Sequence, residues 1–365
     1  MSIKLPVLSE TDSISSPGLW VDRAAITRNI EKMVACVDGP DRAARLRPHV
    51  KTHKMREVVQ MLVAAGVTKC KTATPKETRM AAEGGSVDIL IAHQLVGPKL
   101  GQVAELIKEF PHVRFSAIVD DLDALDAIAA TLGNSQEPFP LRIDVDCGMH
   151  RTGIEFGAGL DALRDKIDSQ PGVAFAGLHI YDGHLRAPDL ETRQRDVLAN
   201  VRTVQAYLAE HQVPAIVGGG SPTFGIWASE TEWECSPGTS LFWDYGYGTD
   251  FPDLEFEIAA GLVTRVISKP GGNRICFDLG HKSVAAEMAL DKRVVFPTIP
   301  SIKLLGQSEE HLVAEVPDPS VFKVGDAVTA IPRHICPTVA LHARATVVDD
   351  GKPIGEQWIV AARDR

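Results

Sequence analysis

Between about Asp22 and Tyr247, short β-rich runs alternate with helical patterns at roughly thirty-residue spacing, the rhythm of repeated βα units that build a parallel sheet. The first helix shows the rule. Asp22 can cap its start, Ile26, Ile30, Met33, Val34 and Val37 recur on one face, and Arg28, Glu31 and Lys32 occupy the other. The candidate strands are Arg45–Val50, Lys69–Ala73, Asp88–Ala92, Arg114–Val119, Leu141–Asp146, Ala174–Ile180, Ala215–Gly218 and a run near Glu234–Phe242. Eight units predict an α/β fold, a closed (β/α)8 TIM-like barrel over residues 22–250. Such barrels place chemistry on the loops that follow each strand. An open doubly wound sheet is the alternative, but no Gly-x-Gly-x-x-Gly opens an early helix as dinucleotide binding requires.

After about Leu254 the texture changes. Val263–Ile267, Arg274–Asp278, Ile302–Leu304, His311–Glu315, Ala327–Ile331, Ala343–Val348 and Trp358–Ala361 are short β-like runs separated by Pro-Gly-Gly, Asp-Pro and Asp-Gly turns. They predict an all-β domain over residues 251–365. The strand-like Gly18-Leu19-Trp20-Val21 suggests that the N-terminal segment 1–21 joins this domain rather than the barrel.

Charge narrows the partners. The 38 basic residues are outnumbered by 48 acidic ones, and no basic cluster offers a path for neutralising a phosphate backbone, so nucleic acid is not expected as a partner. No signal-peptide pattern or apolar run of about eighteen residues occurs, which predicts a soluble cytoplasmic protein without membrane association. Six scattered cysteines without a Cys-x-x-Cys pair read as reduced thiols.

The candidate chemistry stands at strand ends. Arg47-Pro48-His49-Val50-Lys51-Thr52-His53-Lys54 crowds four potentially cationic side chains at the barrel mouth, where a lysine can be kept neutral enough to attack a carbonyl; a solvated basic loop is the competing reading. Gly218-Gly219-Gly220-Ser221-Pro222-Thr223 ends strand seven, where barrels commonly hold a phosphate, though three glycines also make plain turns. Arg151, Tyr181 and His184 follow strands five and six and can pair with an anion, lie against a heteroaromatic ring and move a proton, respectively. His334 and Cys336, two residues apart, point to the same side if the segment is extended, and together suit a divalent metal such as zinc. Chance pairing of a buried Cys with a nearby His is the competing reading.

Taken in order, Arg47–Lys54, Asp146-Cys147-Gly148-Met149-His150-Arg151-Thr152-Gly153, Gly219-Gly220-Ser221-Pro222-Thr223 and His334-Ile335-Cys336-Pro337-Thr338 resemble the D-threonine aldolase and D-serine dehydratase family. This is the metal-activated branch of the alanine-racemase-like pyridoxal phosphate enzymes. The resemblance implies a barrel holding pyridoxal 5'-phosphate, a C-terminal β-domain and a homodimer. It implies that Lys51 forms the internal aldimine, Arg151 contacts the phenolate oxygen, and Tyr181 lies beside the ring. Gly219, Gly220, Ser221 and Thr223 would surround the phosphate, with Gln94 a further cofactor contact, and His334 and Cys336 would hold a divalent metal (Zn, Mn or Mg).

The activity implied is cleavage of a small D-3-hydroxy amino acid to glycine and an aldehyde, with His184 as the base. Elimination to a 2-oxo acid and ammonia, as by D-serine or D-3-hydroxyaspartate dehydratases, is the alternative. A non-catalytic cofactor carrier would lack the β-domain. A racemase would need a second base, usually a β-domain tyrosine, yet no tyrosine lies beyond Leu254. Two departures stand out. Arg333 and Ala340 occupy places where the family pattern has Asn, and the racemase arginine facing the pyridine nitrogen falls at about Ser236.

Overall fold

The computed structural model describes residues 3–133 and 137–364. The chain divides into two compact units, one of Lys32–Lys51 with Arg56–Gly238, the other of the residues up to Glu31 with Thr52–Met55 and Thr239–Asp364.

Strand β1 (Gly18–Asp22) leads into helix α1 (Arg23–Ala35), and Asp22 caps it as expected, its Oδ1 accepting from the Ala25 N–H at 3.0 Å. Thereafter strands and helices alternate: α2 (Arg56–Ala64), β2 (Lys69–Thr72), α3 (Pro75–Glu83), β3 (Asp88–Ile91), α4 (Lys99–Glu109), β4 (Arg114–Val119), α5 (Leu122–Leu132), β5 (Phe139–Val145), α6 (Ala158–Ser169), β6 (Val173–Ile180), α7 (Leu190–Glu210), β7 (Ile216–Gly218), α8 (Phe224–Glu230) and β8 (Glu234–Cys235). Strands β2 to β8 form one parallel sheet in sequence order.

The sheet has seven strands where eight were expected. Pro40–Arg45 winds into a 3-10 helix, and residues 46–50 make only two isolated parallel bridges, Leu46 to Cys235 of β8 and His49 to Lys71 of β2. Pro48 has no N–H to give a ladder, and this limits the segment to bridges. The neighbours are thus completed by residues 46–50 rather than by a strand. The run expected near Glu234–Phe242 likewise stops at Cys235, because Pro237 follows and Thr239–Leu241 forms a 3-10 turn.

Arg47, fully buried, ties the bridging segment to two strands of this unit. Its Nε donates to Glu234 Oε2 at 2.6 Å and its Nη1 to Asp88 Oδ1 at 2.8 Å, while Lys69 Nζ reaches Glu234 Oε1 at 2.6 Å. Burial works to raise both carboxyls, and the Arg47 guanidinium outweighs it, holding Asp88 and Glu234 below the usual carboxylate range. Leu90, Ile118 and Val217, with Ala92, form an apolar cluster in the same unit.

The other unit contains α9 (Tyr245–Asp250), then β9 (Ala260–Gly271), β10 (Arg274–Phe277), β11 (Val294–Val295), β12 (Lys303–Gln307), β13 (Leu312–Glu315), β14 (Ala327–Pro332), α10 (Ile335–Leu341), β15 (Arg344–Asp349) and β16 (Lys352–Ile359). The strands run in the order β12-β13-β10-β9-β1-β15-β16, with β14 branching from β9 to β11; every pairing is antiparallel except β1 with β15. The N-terminal strand β1 therefore sits within the predominantly antiparallel sheet. Trp20, fully buried, lies opposite Gly261, where an added Cβ would come within 2.6 Å of the indole. Asp350 and Gly351, at φ 47° and 79°, turn β15 into β16, the two positive dihedrals that a two-residue hairpin needs. Among the described residues no helix is long and apolar enough to cross a membrane.

Candidate active site

Tyr181, immediately after β6, is the hub of the parallel-sheet unit. Lys51 Nζ lies 5.5 Å from its ring centroid, Lys71 Nζ 5.6 Å and Arg151 Cζ 5.1 Å, so three cationic side chains share one aromatic ring. The ring is closely seated. A Cβ at Gly183 would lie 2.5 Å from its Cε1, Cζ and Oη, and one at Gly220 would lie 3.3 Å from Cε2.

Lys51 follows the bridging segment, its N–H donating to Nδ1 of buried His49 at 3.2 Å. Arg151 rides a turn in which Asp146 Oδ1 accepts from the N–H groups of Gly148 (2.9 Å) and His150 (3.0 Å); it is exposed. The structure thus brings the expected Lys51, Arg151 and Tyr181 together. His184 is exposed, makes no hydrogen bond among the described residues, and sits over Gly148, where an added Cβ would be 3.0 Å from its Nε2.

The glycine-rich turn after β7 is buried, with Gly219 at φ 77°. Its hydroxyl chemistry turns partly inward. Gly220 N–H donates to Thr223 Oγ1 (2.9 Å), Thr223 Oγ1 donates to Asp182 Oδ1 (2.9 Å), and Trp227 Nε1 donates to Asp182 Oδ2 (2.7 Å). Ser221 Oγ accepts from the Gly238 N–H at 3.0 Å. Burial pushes the Asp182 carboxyl up, against the pull of Trp227 and Thr223. Ser236, at the place of the racemase arginine, donates its hydroxyl to the Arg47 carbonyl at 3.0 Å.

Gln94, just beyond β3, buries both amide atoms without a hydrogen-bond partner among the described residues, which leaves them open to a ligand. A primary amine, a guanidinium, a closely seated aromatic ring and an unsatisfied amide fit what a pyridoxal phosphate ring asks of its surroundings.

Sequence reasoning missed Lys71. The downward push expected on a lysine at this mouth falls on it: burial, then the charge of Lys51, bring Lys71 from 10.5 to about 7. The available signal was the period-two pattern of β2, which puts a second lysine on the side of Lys69.

In the antiparallel unit, His334 and Cys336 are not on an extended segment. His334 is the N-terminal flanking residue of α10 and Cys336 lies in its first turn, because β14 ends at Pro332. The two side chains still act on one another, each favouring the charged form of the other. Thr52 Oγ1 and Thr239 Oγ1 approach Cys336 Sγ at 3.2 and 3.5 Å, and Glu287 Oε1 accepts from His334 Nδ1 at 2.7 Å. Burial opposes charge on His334, but Cys336, with Asp244 and Glu287, raises it to about 9. Burial likewise opposes the thiolate, and His334, Thr52 and Thr239 hold Cys336 below the usual thiol range. A nitrogen and a sulfur donor, with a carboxylate fixing the remote ring nitrogen, fit a borderline-soft divalent metal. Glu287 lies too far along the chain to be recognised from spacing. Arg333 pairs with Asp250 at 3.0 Å and accepts from the Gly246 N–H through its carbonyl.

Comparison with known proteins follows the same division. The family model described as alanine racemase, N-terminal domain, matches residues 21–246, and one described as putative serine dehydratase domain matches residues 259–348. A D-threonine aldolase from Arthrobacter sp is 29% identical, with 96% of this chain and 93% of that protein covered. A D-threo-3-hydroxyaspartate dehydratase from Delftia sp. (strain HT23) is 24% identical over 90% of this chain and 92% of its own. The crystal structure of D-threonine aldolase from Filomicrobium marinum superposes with a TM-score of 0.86 at 23% identity, covering 100% of this chain and 99% of that one.

Proposed function

Since the chain belongs to the family defined by the alanine racemase N-terminal domain, we propose that it is a pyridoxal-phosphate- and divalent-metal-dependent lyase that cleaves D-3-hydroxy amino acids to glycine and an aldehyde. The observation that carries this reading is the grouping of Lys51 and Arg151 around the Tyr181 ring. When bound, the cofactor supplies an electron sink for the pair left at Cα, and the metal supplies a Lewis acid for the β-hydroxyl.

The chain's own residues do the rest. Lys51 would hold the cofactor covalently, and Arg151 would pair with its phenolate oxygen. Tyr181, closely approached by Gly183 and Gly220, would lie beside the ring. Gln94 offers its unsatisfied amide, while Gly219, Gly220, Ser221 and Thr223 take the phosphate end. His334 and Cys336 hold the metal, with Glu287 fixing the imidazole through Nδ1. His184, on the loop after β6, takes the hydroxyl proton.

The greater identity to the Arthrobacter aldolase favours cleavage over elimination. The His-x-Cys donor pair favours the second reading, a dehydratase giving a 2-oxo acid and ammonia. Incubation with D-threonine, pyridoxal phosphate and a divalent metal separates them. Acetaldehyde with glycine is the expected product pair; 2-oxobutyrate with ammonia would establish the dehydratase, and neither pair would remove the proposal.

A further inference from the structure

Lys71 is buried in the middle of β2, and its Nζ reaches four strands along the sheet to Nε2 of His179 on β6, at 3.3 Å. The proton arrangement follows from chemistry. Asp144 Oδ1, 2.7 Å from His179 Nδ1, is a carboxylate and accepts, so Nδ1 carries the hydrogen; Thr152 Oγ1 donates to the other oxygen at 3.0 Å. Burial, then Lys71, push the His179 imidazole toward its neutral form, leaving Nε2 as an acceptor for a Lys71 N–H. This is the one hydrogen bond of Lys71 Nζ among the described residues. Asp144 and Asp182 act on it as charges, against Lys51 and Arg151, and its flank is the Tyr181 ring that it shares with Lys51. A buried lysine without a carboxylate in contact does little for stability.

We propose that Lys71 is a second working amine of this site, a positioning residue fastened by the Asp144–His179 chain, whose charge sets the ionisation of the cofactor bound at Lys51. The inference rests on the assignment of pyridoxal phosphate to Lys51. A proton on Lys71 disfavours a further positive charge on the neighbouring amine and its adduct; its loss to solvent favours one. Because burial and Lys51 bring Lys71 to about 7, the exchange falls in the working pH range.

The test is a pH titration of the visible absorbance of the cofactor-loaded protein, followed by borohydride reduction and peptide mapping. Wild type is expected to show an inflection between about pH 6 and 9. Lys71→Gln, which keeps a donor for His179, and Lys71→Met should lose it and hold the high-pH spectrum throughout; Lys71→Arg should hold the low-pH spectrum. A wild-type spectrum flat with pH, or an inflection that survives in either neutral variant, overturns the proposal while reduction still labels Lys51. Failure to label Lys51 in wild type overturns the cofactor assignment instead. If one neutral variant does not fold, the other carries the comparison.

Discussion

Lys71 and His179 join β2 to β6 by a single hydrogen bond of 3.3 Å, and among the described residues no carboxylate is in contact with the amine. A cation kept this way is a liability for the empty protein. The folded-state value of about 7 lies below the ordinary 10.5, so the unfolded chain binds that proton more tightly. This contribution makes stability rise with pH between those values, and the burial penalty is fully present below about 7. Lys71→Met is therefore expected to stabilise the cofactor-free protein by about 1–4 kcal/mol at pH 6, with the gain fading towards pH 10. Urea midpoints across that range check this, and a variant less stable than wild type at pH 6 contradicts it.

Lys51→Ala should abolish the absorbance that borohydride fixes to the protein and lower turnover by about 10²–10⁴-fold or more. Unchanged turnover would remove the amine from the chemistry.

Gly183→Ala tests the seating of Tyr181. A methyl group 2.5 Å from two ring carbons and the hydroxyl oxygen must displace the side chain, at a cost of about 1–3 kcal/mol, which should weaken pyridoxal phosphate binding about 10–100-fold with the far-UV spectrum unchanged. Fluorescence titration of the cofactor-free protein measures it.

Glu287→Gln keeps the shape of the side chain but loses the charge that fixes His334. Metal affinity, read by calorimetric titration of zinc into the metal-free protein, should fall about 10–100-fold, and Cys336→Ala should weaken it further. Equal affinities in all three proteins would place the metal elsewhere.

Arg47→Met leaves Asp88 buried without its guanidinium partner and Glu234 with Lys69 alone, and should cost about 3–5 kcal/mol in urea unfolding at pH 7. Both carboxyls are held below their ordinary values of 3.8 and 4.5, so the stability they contribute is present above those values and is lost as pH falls through the depressed ones. The difference between variant and wild type should shrink correspondingly in acid.

The fold was legible wherever periodicity was strong. Strands β2 to β7 and helix α1 follow from apolar patterning, and the Asp350-Gly351 turn from its residue types. The misreadings cluster at proline: Pro48 limits residues 46–50 to bridges, Pro237 follows the short β8, and Pro332 ends β14 before the His-x-Cys pair, which starts a helix instead. Lys51, Arg151 and Tyr181 could be found because they follow strand ends. Lys71 could not, since a lysine inside a strand looks like a solvated edge until the sheet curls around it, and Glu287 meets His334 only through the tertiary fold.

The parallel sheet is stitched by ladders between successive strands and by solitary bridges where residues 46–50 complete it, and Lys51 follows directly on that seam. A ligand fastened to this side chain then works as a rivet as well as a reagent: loading should slow amide exchange first at Leu46–Val50, so the step that arms the chemistry also locks the seam of the scaffold.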